Sequence, residues 1–169
     1  MTYAAAAVSL GVTTLTNCAA FRTLVGAANP TAALAFVVKT WSGAPENNSG
    51  TLGAGKAADG TSITLGTPPY AVIGMTGLQK DPGGVGNWDI SGTVEIRLYL
   101  PKVSTGEAPA VAAARAMTTA GTIAEQIEAQ VGASTGFADA DVQLDGPYMD
   151  EEGPYRAMTV FLIAINFRG

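Results

Sequence analysis

A glycine-rich stretch that ends at Lys56 is the part of the sequence closest to a chemical motif. Residues 50–56 match the G-x-x-x-x-G-K spacing of a phosphate-binding loop, in which backbone N–H groups hold the phosphates and the lysine reaches their far end. Ala57 stands where that motif needs a magnesium-binding Ser or Thr, and no strand and helix flank the stretch in the sequence pattern. We interpret it as a loop. A nucleotide-binding enzyme that uses Lys56 is the alternative from a different class.

Acidic residues are concentrated near the end of the chain. They are Asp139, Asp141, Asp145, Asp150, Glu151 and Glu152. Asp139 and Asp141 have the spacing that begins a calcium loop, but the third acid, the glycine and the terminal Glu do not follow at their offsets. Residue type alone would allow the carboxylate pair of a glycoside hydrolase, although nothing in the spacing favours it. The pattern predicts a solvated hairpin tip that keeps a sheet edge soluble.

The inventory of reactive side chains excludes several common chemistries. The chain has no histidine, and Cys18 is its single cysteine. Ser-His-Asp and Cys-His arrangements, thiolate zinc sites and an intrachain disulfide are therefore ruled out. We predict a protein that is not an enzyme, with no catalytic residue, no metal site and no cofactor.

A few large or charged side chains are candidates for contact between subunits. Trp88 enters a predicted strand just after a glycine-rich turn, and tryptophan is enriched where proteins meet. Glu95 and Arg97 lie on the polar face of the same strand, where they could form pairs across an interface. With Asp150 and Glu151 of the acidic segment, they complete the predicted interface set. Packing within one chain and ordinary surface solvation are the alternatives for each of them.

Composition bounds the class of protein. The 169 residues are 47% hydrophobic and only 14% charged, with a net charge of -5. That charge does not fit a clamp on nucleic acid. The apolar residues also never form the run of about 18 that a membrane-spanning helix needs. The length predicts one domain, 1–169, with one core.

The first half of the chain predicts a helix, two strands and a long loop. A short helix over residues 17–26 opens at Asn17 as N-cap and ends at Gly26. Residues 34–41 are rich in β-branched and aromatic side chains and predict a strand. A Gly- and Ala-rich loop or arm follows at about 42–69, and residues 70–75 predict the next strand.

The second half has clearer periodicity. Residues 90–100 alternate, with Val94, Ile96, Leu98 and Leu100 on the apolar face, and predict an antiparallel strand that stops at Pro101. A long helix is predicted over 109–131, followed by Gly132 as a stop. Its predicted apolar stripe consists of Met117, Ala120, Ile123, Ala124, Ile127 and Val131. Strands at 142–144 and 155–167 follow, and the last is apolar on both faces, as expected of a central strand.

This order of elements predicts an α+β fold: a single mostly antiparallel β-sheet with the two helices packed on one face. The sheet's second face would also be apolar. A neighbouring subunit is the simplest cover for such a face.

The order resembles that of the tail terminator proteins of tailed bacteriophages across nearly the whole chain. The resemblance lies in Phe21-Arg22-x-Leu24, the long insertion, Pro69-Tyr70-Ala71-Val72-Ile73, the strand over 88–100, the helix over 109–131 and a closing strand pair that ends at Phe167. It implies a virion structural protein of the neck or tail, assembled in the host cytoplasm. Such a protein forms a ring, usually of six subunits, that caps the tail tube, stops its polymerisation and joins it to the head-side connector.

The resemblance also implies partners: further copies of the chain, the tail tube protein and a head-tail connector or neck protein. Genomic DNA would only pass through the lumen, and no membrane is involved. Another neck component, such as a head-completion or stopper protein, is the nearest alternative. The loop at 42–69 is longer than this family leads us to expect, and we interpret it as an arm ordered by a neighbouring subunit or the tube. Deletion of residues 46–60 should then impair assembly and leave the monomer folded.

Overall fold

The computed structural model describes residues 3–39, 54–56, 62–64, 69–82, 88–101, 106–133, 139–148 and 155–167. Its helices are α1 (Tyr3–Asn17), α2 (Ala19–Val25), α3 (Pro30–Ala33) and α4 (Pro109–Ala133), with a 3-10 turn at Leu34–Phe36. Its strands are β1 (Val37–Lys39), β2 (Ala54–Lys56), β3 (Ser62–Thr64), β4 (Tyr70–Pro82), β5 (Trp88–Pro101), β6 (Asp139–Tyr148) and β7 (Tyr155–Phe167).

Five strands form the main sheet, in the order β1-β4-β5-β7-β6. β1 runs parallel to β4, and the other three pairings are antiparallel. β2 and β3 form a separate antiparallel pair within the predicted loop. The α+β class and the mostly antiparallel sheet are confirmed, and β7 is central, as its two apolar faces predicted.

One face of the sheet forms the core. Val94, Ile96 and Leu98 of β5 and Ile73 of β4 are all fully buried, in one cluster with residues of α1, α2 and α4. α1 contacts β4 and β5, and α4 contacts β6 and β7. The alternation read from residues 94–100 is therefore confirmed, because these side chains meet the helices on the predicted face.

The N-terminal helices differ from the prediction in number and boundaries. α1 was not predicted, and Asn17 is its last residue rather than the N-cap of the next helix. Cys18 takes the N-cap position of α2, but its side chain makes no capping bond. Instead, Gln126 of α4 accepts a hydrogen bond from the Ala20 N–H at 3.0 Å. A tertiary contact thus replaces the local cap, so Asn17 was the wrong signal.

The end of α2 follows the sequence prediction closely. Gly26 has a φ of 70°, the left-handed conformation that glycine adopts without steric strain. The Ala27 N–H donates to the Arg22 carbonyl at 2.8 Å, which satisfies a carbonyl left over at the helix end. Asn29 then caps α3, because its side chain accepts from the Ala32 N–H at 2.9 Å.

Two further boundaries and one residue assigned to the buried stripe require correction. The strand predicted over 34–41 begins only at Val37, after the 3-10 turn, and it is parallel to β4. α4 runs through Gly121 and past Gly132 to Ala133, so Gly132 is not its stop. Met117 was placed in the buried stripe of α4 but is 53% exposed, and Ala112 and Ala116 are buried in its place.

Candidate subunit interface

The second face of the sheet carries the predicted charged pair. Backbone register places Val72 opposite Arg97 and Gly74 opposite Glu95, with Tyr70 opposite Tyr99 at the next position. Residues directly opposite each other in paired strands share a face. This face therefore combines one ion pair, one aromatic pair and Val72, in the region where β4 and β5 meet.

Glu95 and Arg97 form their contact within one chain. Arg97 Nε donates to Glu95 Oε1 at 2.5 Å, since residues two apart on a strand lie on the same face. The Glu95 side chain is 14% exposed and the Arg97 side chain 34%. The structure therefore brings these two predicted residues together, at a depth where a neighbouring molecule could still reach the guanidinium.

Sequence reasoning missed the aromatic pair beside them. The rings of Tyr70 and Tyr99 stack with centroids 4.6 Å apart and an angle of 14° between their planes. Both residues are buried, although Tyr99 shares its strand face with Glu95 and Arg97. Cross-strand aromatic pairs stabilise a sheet. The two tyrosines could be matched only once the register of β4 against β5 was known.

The other predicted interface residues do not join this cluster. Trp88 begins β5 in register with Pro82, seven positions before Glu95. At about 3.3 Å per residue, its backbone lies roughly 23 Å from Glu95. Asp150 and Glu151 lie outside the described residues.

The motifs that suggested chemistry have structural positions of their own. Lys56 is the last residue of the short strand β2, and the next described element is β3 rather than the helix a phosphate-binding loop requires. Asp139, Asp141 and Asp145 lie within β6, so the predicted hairpin tip is wrong for these three residues. Within the described parts of the chain, no group of three or more potential ligands could hold a metal ion.

Cys18 lies where its thiol has little reactivity. Its Sγ donates to the Thr14 carbonyl at 3.3 Å and accepts from Gln130 Nε2 at 3.1 Å. Burial raises the pKa of the thiol to about 11, against weaker lowering by Gln130 and Arg22. Because the thiolate is the nucleophile, this cysteine suits a structural role at the junction of α1, α2 and α4.

A second surface feature lies on the outer side of α4. Val111 is 58% exposed and Met117 is 53% exposed, which are large fractions for hydrophobic side chains. Near the first turns of this helix, Glu107 is bonded to Arg115 through two 2.9 Å contacts.

Comparisons with known proteins do not extend this description: no protein-family model matches the chain, and no curated protein is similar to it in sequence. Among the described helices, none combines the length and the apolar character needed to cross a membrane.

Proposed function

We propose that the protein is a structural component of the neck or upper tail of a tailed bacteriophage, and that it forms the terminator ring. The ring would cap the tail tube, stop its polymerisation and join it to the head-side connector. Its partners would be further copies of itself, the tube protein and a neck protein. The proposal rests on the resemblance in element order, with the physical support that follows.

The observation that carries the proposal is the layering of the sheet. α1 and α4, which contact the strands, cover the face formed by Ile73, Val94 and Ile96. In the described chain, the opposite face presents the Glu95–Arg97 pair beside the half-buried Val72. A mixed polar and apolar face with a fixed ion pair suits a contact that must also exist in water before assembly.

Charge supports a conduit rather than a grip on DNA. The net charge of -5 gives the ring a field that repels the phosphate backbone. A channel protein of this kind would let the genome pass without retaining it. The same charge would also keep free subunits apart in solution until a specific contact forms.

Another neck component is the alternative within the same class. A head-completion or stopper protein would use similar interfaces but would bind the portal side. Binding tests with purified tail tubes and with portal rings separate the two, because a terminator binds the tube end and a stopper does not.

The first experiment is the molar mass of the purified protein by light scattering over a wide concentration range. A ring of six chains of 17.1 kDa would have a mass of about 103 kDa, and a closed heterologous assembly gives such a discrete species. A discrete dimer with no larger species would contradict the proposal. For a monomer, the decisive test is labelling of virions, where absence from the head-tail junction would contradict it.

The enzyme alternative has its own test. A ligand present at one hundred times its dissociation constant stabilises a protein by about 2.7 kcal/mol. Thermal melting with and without saturating magnesium-ATP therefore decides whether Lys56 belongs to a nucleotide site, with Lys56→Ala as the matched control. No shift in the melting temperature is the result we expect.

A further inference from the structure

We infer that the copies of this chain pair through their sheet edges: β6 of one copy adds to residues 74–82 of β4 in the next. This inference rests on the proposed ring, and it names the surface that would close it. The sheet order places β6 at one edge, paired only with β7 among the described strands. At the other edge, the described residues of β1 pair with β4 opposite Ala71–Ile73.

Both edges offer backbone hydrogen-bonding groups over similar lengths. β4 continues from residue 74 to Pro82 with no described strand on its outer side. β6 spans Asp139–Tyr148 and likewise has no described strand on its outer side. An edge strand with unpaired N–H and C=O groups is a template for a strand from another chain.

Strand direction favours pairing between different edges. β4 and β7 run one way, and β5 and β6 run the other, because each pairing from β4 to β6 is antiparallel. A second copy that continues the sheet in the same orientation places its β4 beside β6, again antiparallel. The same alternation then repeats at every copy, as a closed ring of heterologous contacts requires.

The register fixes the offset that this contact needs. Within one copy, Gln143 shares a row with Phe161, Glu95 and Gly74. Residues 74–82 of β4 begin at this row and extend away from β1. The centre of this segment therefore lies about four residues, or roughly 13 Å, beyond the row of Gln143. In a closed sheet, the strands tilt because the register shifts by a constant stagger, and the shift between neighbouring copies would supply such a stagger.

Charge disfavours the competing contact between two β6 strands. β6 contains Asp139, Asp141 and Asp145 and no basic residue. In an antiparallel pair centred on Val142, Asp139 of each copy would stand opposite Asp145 of the other, and like charges directly opposite are unfavourable. Residues 74–82 of β4 hold one Lys and one Asp, so β6 meets no excess of negative charge there.

Disulfide mapping tests this pairing. Gln143→Cys on β6 is mixed with Thr76→Cys or with Gln79→Cys on β4. Thr76 and Gln79 lie opposite Thr93 and Ser91, which precede Glu95 on β5 by two and four residues. After mild oxidation, we expect disulfide-linked dimers in at least one mixture, with the linked peptides identified by mass spectrometry. The double variant that combines the successful pair should form a ladder of linked species up to the closed ring.

The controls separate this interface from the proposed function. The wild-type chain, whose Cys18 is buried, reports disulfides that do not involve the new positions. Equal dimer formation by Gln143→Cys alone would indicate pairing between two β6 strands and would overturn the inference. Absence of linked species in both mixtures at every concentration would overturn it as well. Light scattering on the same samples then shows whether a ring exists, so a ring without cross-links would refute this interface and leave the proposed function standing.

Discussion

Replacement of Gly11 by alanine tests how closely α1 packs on the sheet. A Cβ atom at position 11 would lie 2.7 Å from Val94 Cγ1 and 3.4 Å from Ile73 Cγ2. Both methyl groups belong to fully buried β-branched side chains, which have few alternative rotamers. Since the core is close-packed, either the helix or the strands must move to admit the methyl group.

Two opposing effects set the magnitude. In an unstrained helix, Gly→Ala stabilises by about 0.4–1 kcal/mol, because the unfolded chain loses conformational freedom. An added methyl group in a packed core destabilises by about 1–3 kcal/mol. We expect Gly11→Ala to lower the free energy of unfolding by about 1–2 kcal/mol, which for a chain of this length lowers the melting temperature by roughly 2–8 °C.

Gly121→Ala in α4 is the matched control, because nothing lies within 4 Å of the position its Cβ would take. This variant should raise the free energy of unfolding by about 0.4–1 kcal/mol. Urea unfolding followed by circular dichroism, at one fixed protein concentration, measures both variants. If Gly11→Ala stabilises the protein as much as Gly121→Ala, the close contact between α1 and β5 is refuted. In a Val94→Ala background, the penalty of Gly11→Ala should shrink.

Three further predictions concern the helices. Burial raises the pKa of the Cys18 thiol from 9.0 to about 11, so its contribution to stability is complete below pH 9 and is lost as the pH rises towards 11. The free energy of unfolding should fall by up to about 1.4 kcal/mol per pH unit in this range. Cys18→Ala should remove this part of the pH dependence of urea unfolding. Gln126→Ala should lower the free energy of unfolding by about 1 kcal/mol, because the Ala20 N–H loses its acceptor, whereas Gln126→Glu keeps an acceptor and should lose less. Glu107→Gln should lower the free energy of unfolding by less than about 1 kcal/mol, because the Arg115 side chain is 37% exposed. The effect should decrease with added salt, and an effect that salt does not change would contradict an ion-pair origin.

The elements that could be predicted from sequence are those with a strong local signal. Residues 94–100 alternate strictly, and the structure buries the expected side chains. Gly26 ends α2 through its left-handed backbone, and Pro109 is the first residue of α4. In each case the signal lies in the residue itself or in its immediate neighbours, so no knowledge of the partner segment was needed.

The errors arise where a distant segment decides. Asn17 has the side chain of an N-cap, yet α2 is capped at Ala20 by Gln126, more than a hundred residues away. In the candidate interface, the strand pattern placed Glu95 and Arg97 on one face as candidates for pairs between subunits, and the structure pairs them with each other within one chain. The stack of Tyr70 on Tyr99 depends on the register between two strands, which neither strand's own sequence determines.

The orientation of α4 shows what hydrophobicity alone cannot decide. The first half of the helix is rich in alanine, so more than one stripe could have faced the core, and Met117 was assigned to the buried stripe by its spacing from Ala120 and Ala124. The structure buries Ala112 and Ala116 together with the correctly predicted Ala120, a row of small side chains spaced four residues apart. Small residues let a helix approach its neighbours closely, whereas a Met in that row would need space that the close-packed core does not have. The row of alanines was therefore the correct signal for the first half of α4, and it leaves Val111 and Met117 facing outwards.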